Sequence, residues 1–191
     1  MVPLIVNFGE IHDFVGQLVS AFDGCRDPYS LLKQLNVILI PRETEIPVSE
    51  FKAFYLYTNR QHVVMYNERL HGRALTITLG HELGHRVFFQ EQRNAMQLID
   101  GRLYNTKDRP EIIANAFCAE LLLTDDQVMD AIRATNMFHK AAWLLKVPEP
   151  LLDLKLQNME FRGFPHTVPH CTVSDCMADE DFLTPFLDME D

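Results

Sequence analysis

The feature that most constrains this chain is an apolar helical stretch with three ionisable side chains in its middle. From about Arg73 to Phe89, Leu75, Leu79, Leu83 and Val87 recur every four residues, which predicts one helix with a buried stripe. Inside it lies His81-Glu82-Leu83-Gly84-His85. Residues four apart on a helix stand one turn above each other, about 5–6 Å between Cβ atoms, so both imidazoles can converge on one tetrahedral ion. Glu82 is rotated by about 100° from His81, which sets its carboxylate beside that ion. There it can take the proton of a water whose pKa the metal has lowered to roughly 7, as that water attacks an amide carbonyl. An HExxH match can arise by chance on an ordinary helix. Burying two histidines and a glutamate among apolar residues without a partner is costly, however, and a shared metal removes that cost. Gly84, a poor helix former between the histidines, implies that something approaches the backbone closely there.

A catalytic zinc takes three protein ligands and keeps one position open. Downstream, Glu111 and Glu120 compete on a helix that is predicted to start near Asp108, with Pro110 in its first turn, and to run to about Leu123. They are nine residues apart, roughly 900° at the helical period, so they point to opposite sides and only one can face the metal. Glu111 shares its face with Asn115 and Cys118, and Asn115 is a residue type that orients a ligand by hydrogen bonding. The plainer reading of Glu111 is a first-turn acid interacting with the helix dipole. With the histidine motif upstream, ligation is the better reading.

The rest of the composition narrows the setting. At 191 residues and 47% hydrophobic, the chain suggests one domain with a real core, so global disorder is not expected. No apolar run approaches the ~18–20 residues of a bilayer span, and the N-terminus lacks a basic n-region. The four cysteines (25, 118, 171 and 176) are too sparse for a disulfide framework. A cytoplasmic location is expected. The net charge is −10, and residues 171–191 hold seven acids and no Lys or Arg. Neither tail nor body offers a basic stripe, so direct nucleic-acid binding is not expected.

Along the chain, helices are expected at about 10–22 and from Asp27-Pro28 to Leu35. Val37–Ile40 reads as a buried strand stopped by Pro41. Ala53–Tyr57 and His62–Tyr66 read as a hairpin around Thr58-Asn-Arg-Gln61. Residues 90–108 read as a loop. Thr124 with Asp125 and Asp126 starts another helix to about Ala134, and two short helices flank Val147-Pro148. The expected fold is α+β, a small twisted sheet beside the active-site helix with the other helices packed around it. Residues 1–162 form the domain, and 163–191 an acidic tail with Pro, His and Cys, poorly ordered or loosely docked. In that tail Phe182, Leu183, Phe186 and Leu187 make an apolar stripe able to dock on the body and cover the cleft.

Thr78-Leu-Gly-His-Glu-Leu-Gly-His85 followed by Glu111-Ile-Ile-Ala-Asn-Ala-Phe-Cys-Ala-Glu-Leu-Leu-Leu123 resembles the ImmA/IrrE-type (DUF955) zinc metallopeptidases over roughly residues 36–156. The resemblance implies a zincin-like fold and one Zn2+ per chain, held by His81, His85 and Glu111, with Glu82 as the base. It also implies an endopeptidase that cleaves a helix-turn-helix repressor and so induces mobile-element or stress-response genes. No fused DNA-binding domain is expected, so the repressor would be a separate protein partner. Thr124 stands where the family usually has Pro, and Thr76-Ile77-Thr78 where Arg-Phe-Thr is common.

Other constellations are weaker. His166, His170, Cys171 and Cys176 have zinc-ligand chemistry but no standard spacing. Trp143, among Ala141, Ala142, Leu144 and Leu145, reads as core rather than as a partner-binding face. His12, His62, His71 and His139 have no motif context. Tyr66, His71 and Tyr104 are candidate donors to a tetrahedral oxyanion. A substrate is expected as an extended segment on an edge strand near Tyr66. Two rivals stand beside the peptidase: a non-hydrolytic protein that binds and displaces a repressor, its zinc structural, and a hydrolase of small amides. Only the hydrolytic readings need Glu82.

Overall fold

Chain entry into the first helix is fixed by a reciprocal cap. The Asn7 side chain accepts from the Glu10 amide at 2.9 Å, and the Glu10 carboxylate accepts from the Asn7 amide at 3.1 Å. The computed structural model describes residues 7–48, 50–89 and 109–165. Helix α1 spans Phe8–Ala21 and buries Ile11, Val15 and Leu18. Asp27 caps α2 (Pro28–Gln34) by accepting from the Ser30 amide, with Pro28 in the first turn as the sequence predicts.

Three strands follow: β1 (Val37–Arg42), β2 (Ala53–Thr58) and β3 (Gln61–Asn67), in the order β1-β3-β2. The hairpin forms as expected, with Thr58 paired to Gln61 across Asn59 and Arg60. Both turn residues have positive φ, 49° and 61°, which matches the twist of the paired strands. β1 pairs parallel to β3, and β2 antiparallel.

One expectation for the sheet is corrected. β1 does not stop at Pro41 but runs on to Arg42, and it is an edge strand with Ile38 and Ile40 exposed. An edge strand has a side without ladder partners, and a proline that lacks an N–H is tolerated there. Tyr66 itself lies on β3, the central strand, and its neighbour on the edge strand β2 is Ala53. Among the described residues β2 is the other edge strand, and it is the one that packs on α3.

Helix α3 spans Gly72–Phe88 and α4 spans Arg109–Leu122; α5 (Asp125–Thr135), α6 (Phe138–Leu144) and α7 (Glu149–Phe161) complete the order. The loop expected at 90–108, with the Asp108 cap, and the tail beyond Pro165 lie outside the described residues. Thr124 caps α5 by the same reciprocal device as Asn7, with Gln127 as its partner.

Apolar side chains form two main clusters. One gathers α1, α2, the sheet and one side of α3 and α4, around Tyr55, Val64, Leu83 and Phe117. The other gathers α4–α7 around Ile77, Leu123, Ile132 and Leu151. Helix α4 serves both, and every residue from Ile113 to Leu121 is buried. Trp143 is not core: it is 70% exposed on α6, beside exposed Leu144. Ala141 and Ala142 take the inward face of that short helix, which turns the tryptophan out. Among the described residues, no helix is long and apolar enough to cross a membrane.

Candidate metal centre

The crossing of α3 and α4 is built on missing side chains. A Cβ at Gly84 would stand 2.8 Å from the Ala114 Cα and 3.0 Å from its carbonyl oxygen, so only glycine admits α4 this close. One turn earlier, a Cβ at Gly80 would meet the Cys118 sulfur at 2.9 Å. The backbone approach that Gly84 implies in the sequence is thus that of α4, and Gly80 extends it.

That crossing brings the first turn of α4 under the histidines of α3. The His81 and His85 Nε2 atoms are 2.9 Å apart. The Glu111 Oε2 lies 3.2 Å from the first and 3.4 Å from the second. Asn115, one turn along α4, places its Oδ1 2.7 Å from the His81 Nδ1. An amide oxygen only accepts, so His81 donates its Nδ1–H, and its Nε2 lone pair faces the other two donors. His81, Glu82 and His85 are at most 3% exposed, out of reach of bulk water.

Donor atoms held ~2.0–2.1 Å from one tetrahedral zinc stand ~3.3 Å from each other. The triangle of 2.9, 3.2 and 3.4 Å is of that size. Two imidazoles and a carboxylate suit a borderline-soft dication. The electrostatics point the same way. Burial disfavours a charge on His81, yet Glu111, Glu82 and Asn115 outweigh it and raise its pKa. Burial likewise pushes the Glu111 carboxyl up, but the two histidines hold it well below the usual carboxylate range. The centre favours positive charge, and the residues fit a zinc ion.

Glu120 goes elsewhere, as the half-turn count requires. Its Oε2 accepts from the Lys155 ammonium at 2.8 Å and lies 2.9 Å from the His12 Nδ1. Lys155 is also 2.7 Å from Asp125, which Arg162 grips with two bonds of 2.7 Å. His12, Glu120 and Asp125 form a second cluster of ligand-type groups, but a buried ammonium already supplies its cation. The motif reading passes over Lys155 and Arg162; the one sequence signal for the first is a lysine between leucines in Leu154-Lys155-Leu156.

Of the candidate oxyanion donors, His71 stands just before α3, ten residues and so about 15 Å along the axis from His81. It is too far. Partial burial raises the pKa of Tyr66, and Tyr104 lies outside the described residues. So do His166, His170, Cys171 and Cys176. His62, without context in the sequence, meets the Tyr55 hydroxyl at 2.6 Å and lies near Arg86. Cys118 is buried, its thiol pushed up to about 12, and behaves as the small hydrophobe expected.

A family model, Peptidase_M78, the IrrE N-terminal-like domain, matches residues 44–157, a span that holds the α3 histidines, Glu111 and Asn115. A relative from Bacillus phage phi105, named as an uncharacterized immunity region protein 2, is 30% identical over 129 residues, covering 68% of this chain and 78% of its own length. The mixed sheet-and-helix architecture is that of a zincin-like α+β fold. With the matching model covering more than half of the sequence, the chain belongs to the IrrE N-terminal-like (Peptidase_M78) family of zinc metallopeptidases.

Proposed function

We propose that this chain is a zinc-dependent endopeptidase that cleaves a separate helix-turn-helix repressor in the cytoplasm and so relieves repression of mobile-element or stress-response genes. The observation that carries the reading is the convergence of His81 Nε2, His85 Nε2 and Glu111 Oε2 at 2.9–3.4 Å, with Glu82 buried in the same turn. The phi105 relative is named for an immunity region, a setting that supports a regulatory protein as target.

His81, His85 and Glu111 would hold one zinc ion per chain. When bound, zinc supplies Lewis acidity, which lowers the pKa of a water and polarises the scissile carbonyl. Asn115 keeps His81 in the tautomer that offers Nε2 to the metal. Glu82 takes a proton from the attacking water as the new C–O bond forms, then returns it to the amide nitrogen as the C–N bond breaks. The near-complete burial of its carboxylate keeps bulk water from competing for that proton. An extended substrate would find main-chain partners along the outer edge of β2, an edge strand among the described residues and the one that borders α3.

Glu82→Gln separates this enzyme from a displacing binder. It preserves side-chain size and removes the basic carboxylate. Zinc and partner affinity should persist, while cleavage of a co-expressed repressor falls by about 10² or more. Full derepression by the Gln variant, with the repressor intact on a gel, would favour displacement and sink the peptidase reading.

A further inference from the structure

We propose that the exposed face of α6 is a docking surface for the chain's own C-terminal segment around Phe182–Leu187. The face presents Trp143, 70% exposed, with Leu144 and Met137 at 50% and 46%. Apolar side chains of this size grouped on one short helix mark a contact surface rather than ordinary exterior. Exposed His139 and Lys140 lie on the same face, while Arg133, in the last turn of the preceding helix, is already paired with Asp130 at 3.4 Å. The surface is thus apolar with a basic margin.

The chain carries a segment of the complementary kind. Phe182-Leu183 and Phe186-Leu187 are two apolar pairs separated by Thr184-Pro185. Asp179, Glu180 and Asp181 precede them and Asp188, Glu190 and Asp191 follow, with no Lys or Arg from 171 to the end. Aromatic and leucine pairs fit beside an indole, and the flanking acids meet Lys140.

Geometry permits the contact in cis. Phe164, near the end of the described residues, packs on the same apolar cluster as Ala141 and Ala142, the buried side of α6. The sixteen residues 166–181 reach up to ~55 Å when extended. That is far more than one face of a domain this size needs, and closing a loop of that length costs little compared with recruiting a separate molecule.

Trp143 is the chain's only tryptophan, so its fluorescence reads this surface directly. In the full-length protein its emission should be blue-shifted and shielded from acrylamide, at every protein concentration. Phe182→Ser combined with Phe186→Ser, in the full chain, should red-shift the emission and restore quenching. Lys140→Glu, on the exposed helix face and harmless to the core, should weaken the shielding in the same direction. Emission of a solvated indole in the unaltered protein would overturn the proposal. Shielding that survives both sets of substitutions would overturn it too, because another group then covers the indole. Shielding lost on dilution would show that a second copy, not the chain's own tail, is the occupant.

Discussion

Asn115 is the side chain that separates orientation from ligation. Asn115→Ala leaves His81, His85 and Glu111 in place but removes the acceptor 2.7 Å from the His81 Nδ1. Zinc affinity should fall by about 10–100-fold, read by chelator competition, with metal still bound at saturation. His81→Ala, His85→Ala and Glu111→Ala should each abolish stoichiometric binding instead. Glu120→Ala should keep about one zinc per chain, because Lys155 and His12, not the α3 histidines, surround that carboxylate. Loss of metal from the Glu120 variant alone would reverse the assignment of the third ligand. These placements were legible because a helix turns by a fixed angle: nine residues set Glu111 and Glu120 on opposite sides, and four set Glu111 and Asn115 on one. An oxyanion donor was not legible, because no local period relates residues of other elements such as Tyr66 or His71 to His81.

At the scale of elements, the crossing of α3 and α4 predicts a contrast between two glycines. Gly84→Ala drives a Cβ into the backbone of Ala114, and backbone cannot rotate away. The helices must part, moving Glu111 and Asn115 together. Stability of the metal-free protein should drop by about 1–3 kcal/mol, and zinc affinity should fall with it. Gly80→Ala crowds the Cys118 sulfur, a side-chain atom, while Pro28 and Leu122 stand at ordinary contact of 3.6 and 3.7 Å, so Cys118→Ala should relieve much of its cost. Thermal melts of the two single variants and the Gly80/Cys118 double variant test this; an unrelieved double variant would refute the contact account. Gly84 was readable because a glycine between two helical histidines has no other use. Gly80 was not, because its partner lies 38 positions away. The same limit explains β1 and α6. Val37–Ile40 has the β-branched composition of a buried strand, but whether a strand is central or at an edge depends on pairing order. Trp143 follows two alanines that fill the inward face, and only packing decides which side of a seven-residue helix turns in.

Across the whole molecule, α4, α5 and α7 are tied by Glu120, Asp125, Lys155 and Arg162. Lys155 is 1% exposed and bonded to two carboxylates, so Lys155→Met leaves Glu120 and Asp125 facing each other without it. Breaking such a buried pair costs about 3–5 kcal/mol, which a urea titration would detect. Asp125 gives the network a pH signature. Its partial burial pushes its pKa up, but Arg162 and Lys155 hold it below the ordinary carboxylate value. A depressed folded pKa means stability that is complete above the unfolded value of about 3.9 and is lost as pH falls below it. The destabilisation caused by Asp125→Asn should therefore be largest near neutrality and shrink below about pH 4. A penalty that stays constant down to pH 3 would remove Asp125 from the account.

Helix α4 has no outer side. With Ile113 to Leu121 buried throughout, it is the party wall of two rooms, and neither can be opened without baring it to the other. Glu111 sits in the first turn of that wall, so whatever the metal contributes is shared on both sides. Zinc at 100 times its dissociation constant adds about 2.7 kcal/mol to the folded state. Stripping it should speed amide hydrogen exchange in α1 and in α7 together, though neither helix supplies a ligand. Exchange that quickens on one side alone would mean that the wall gives way by halves.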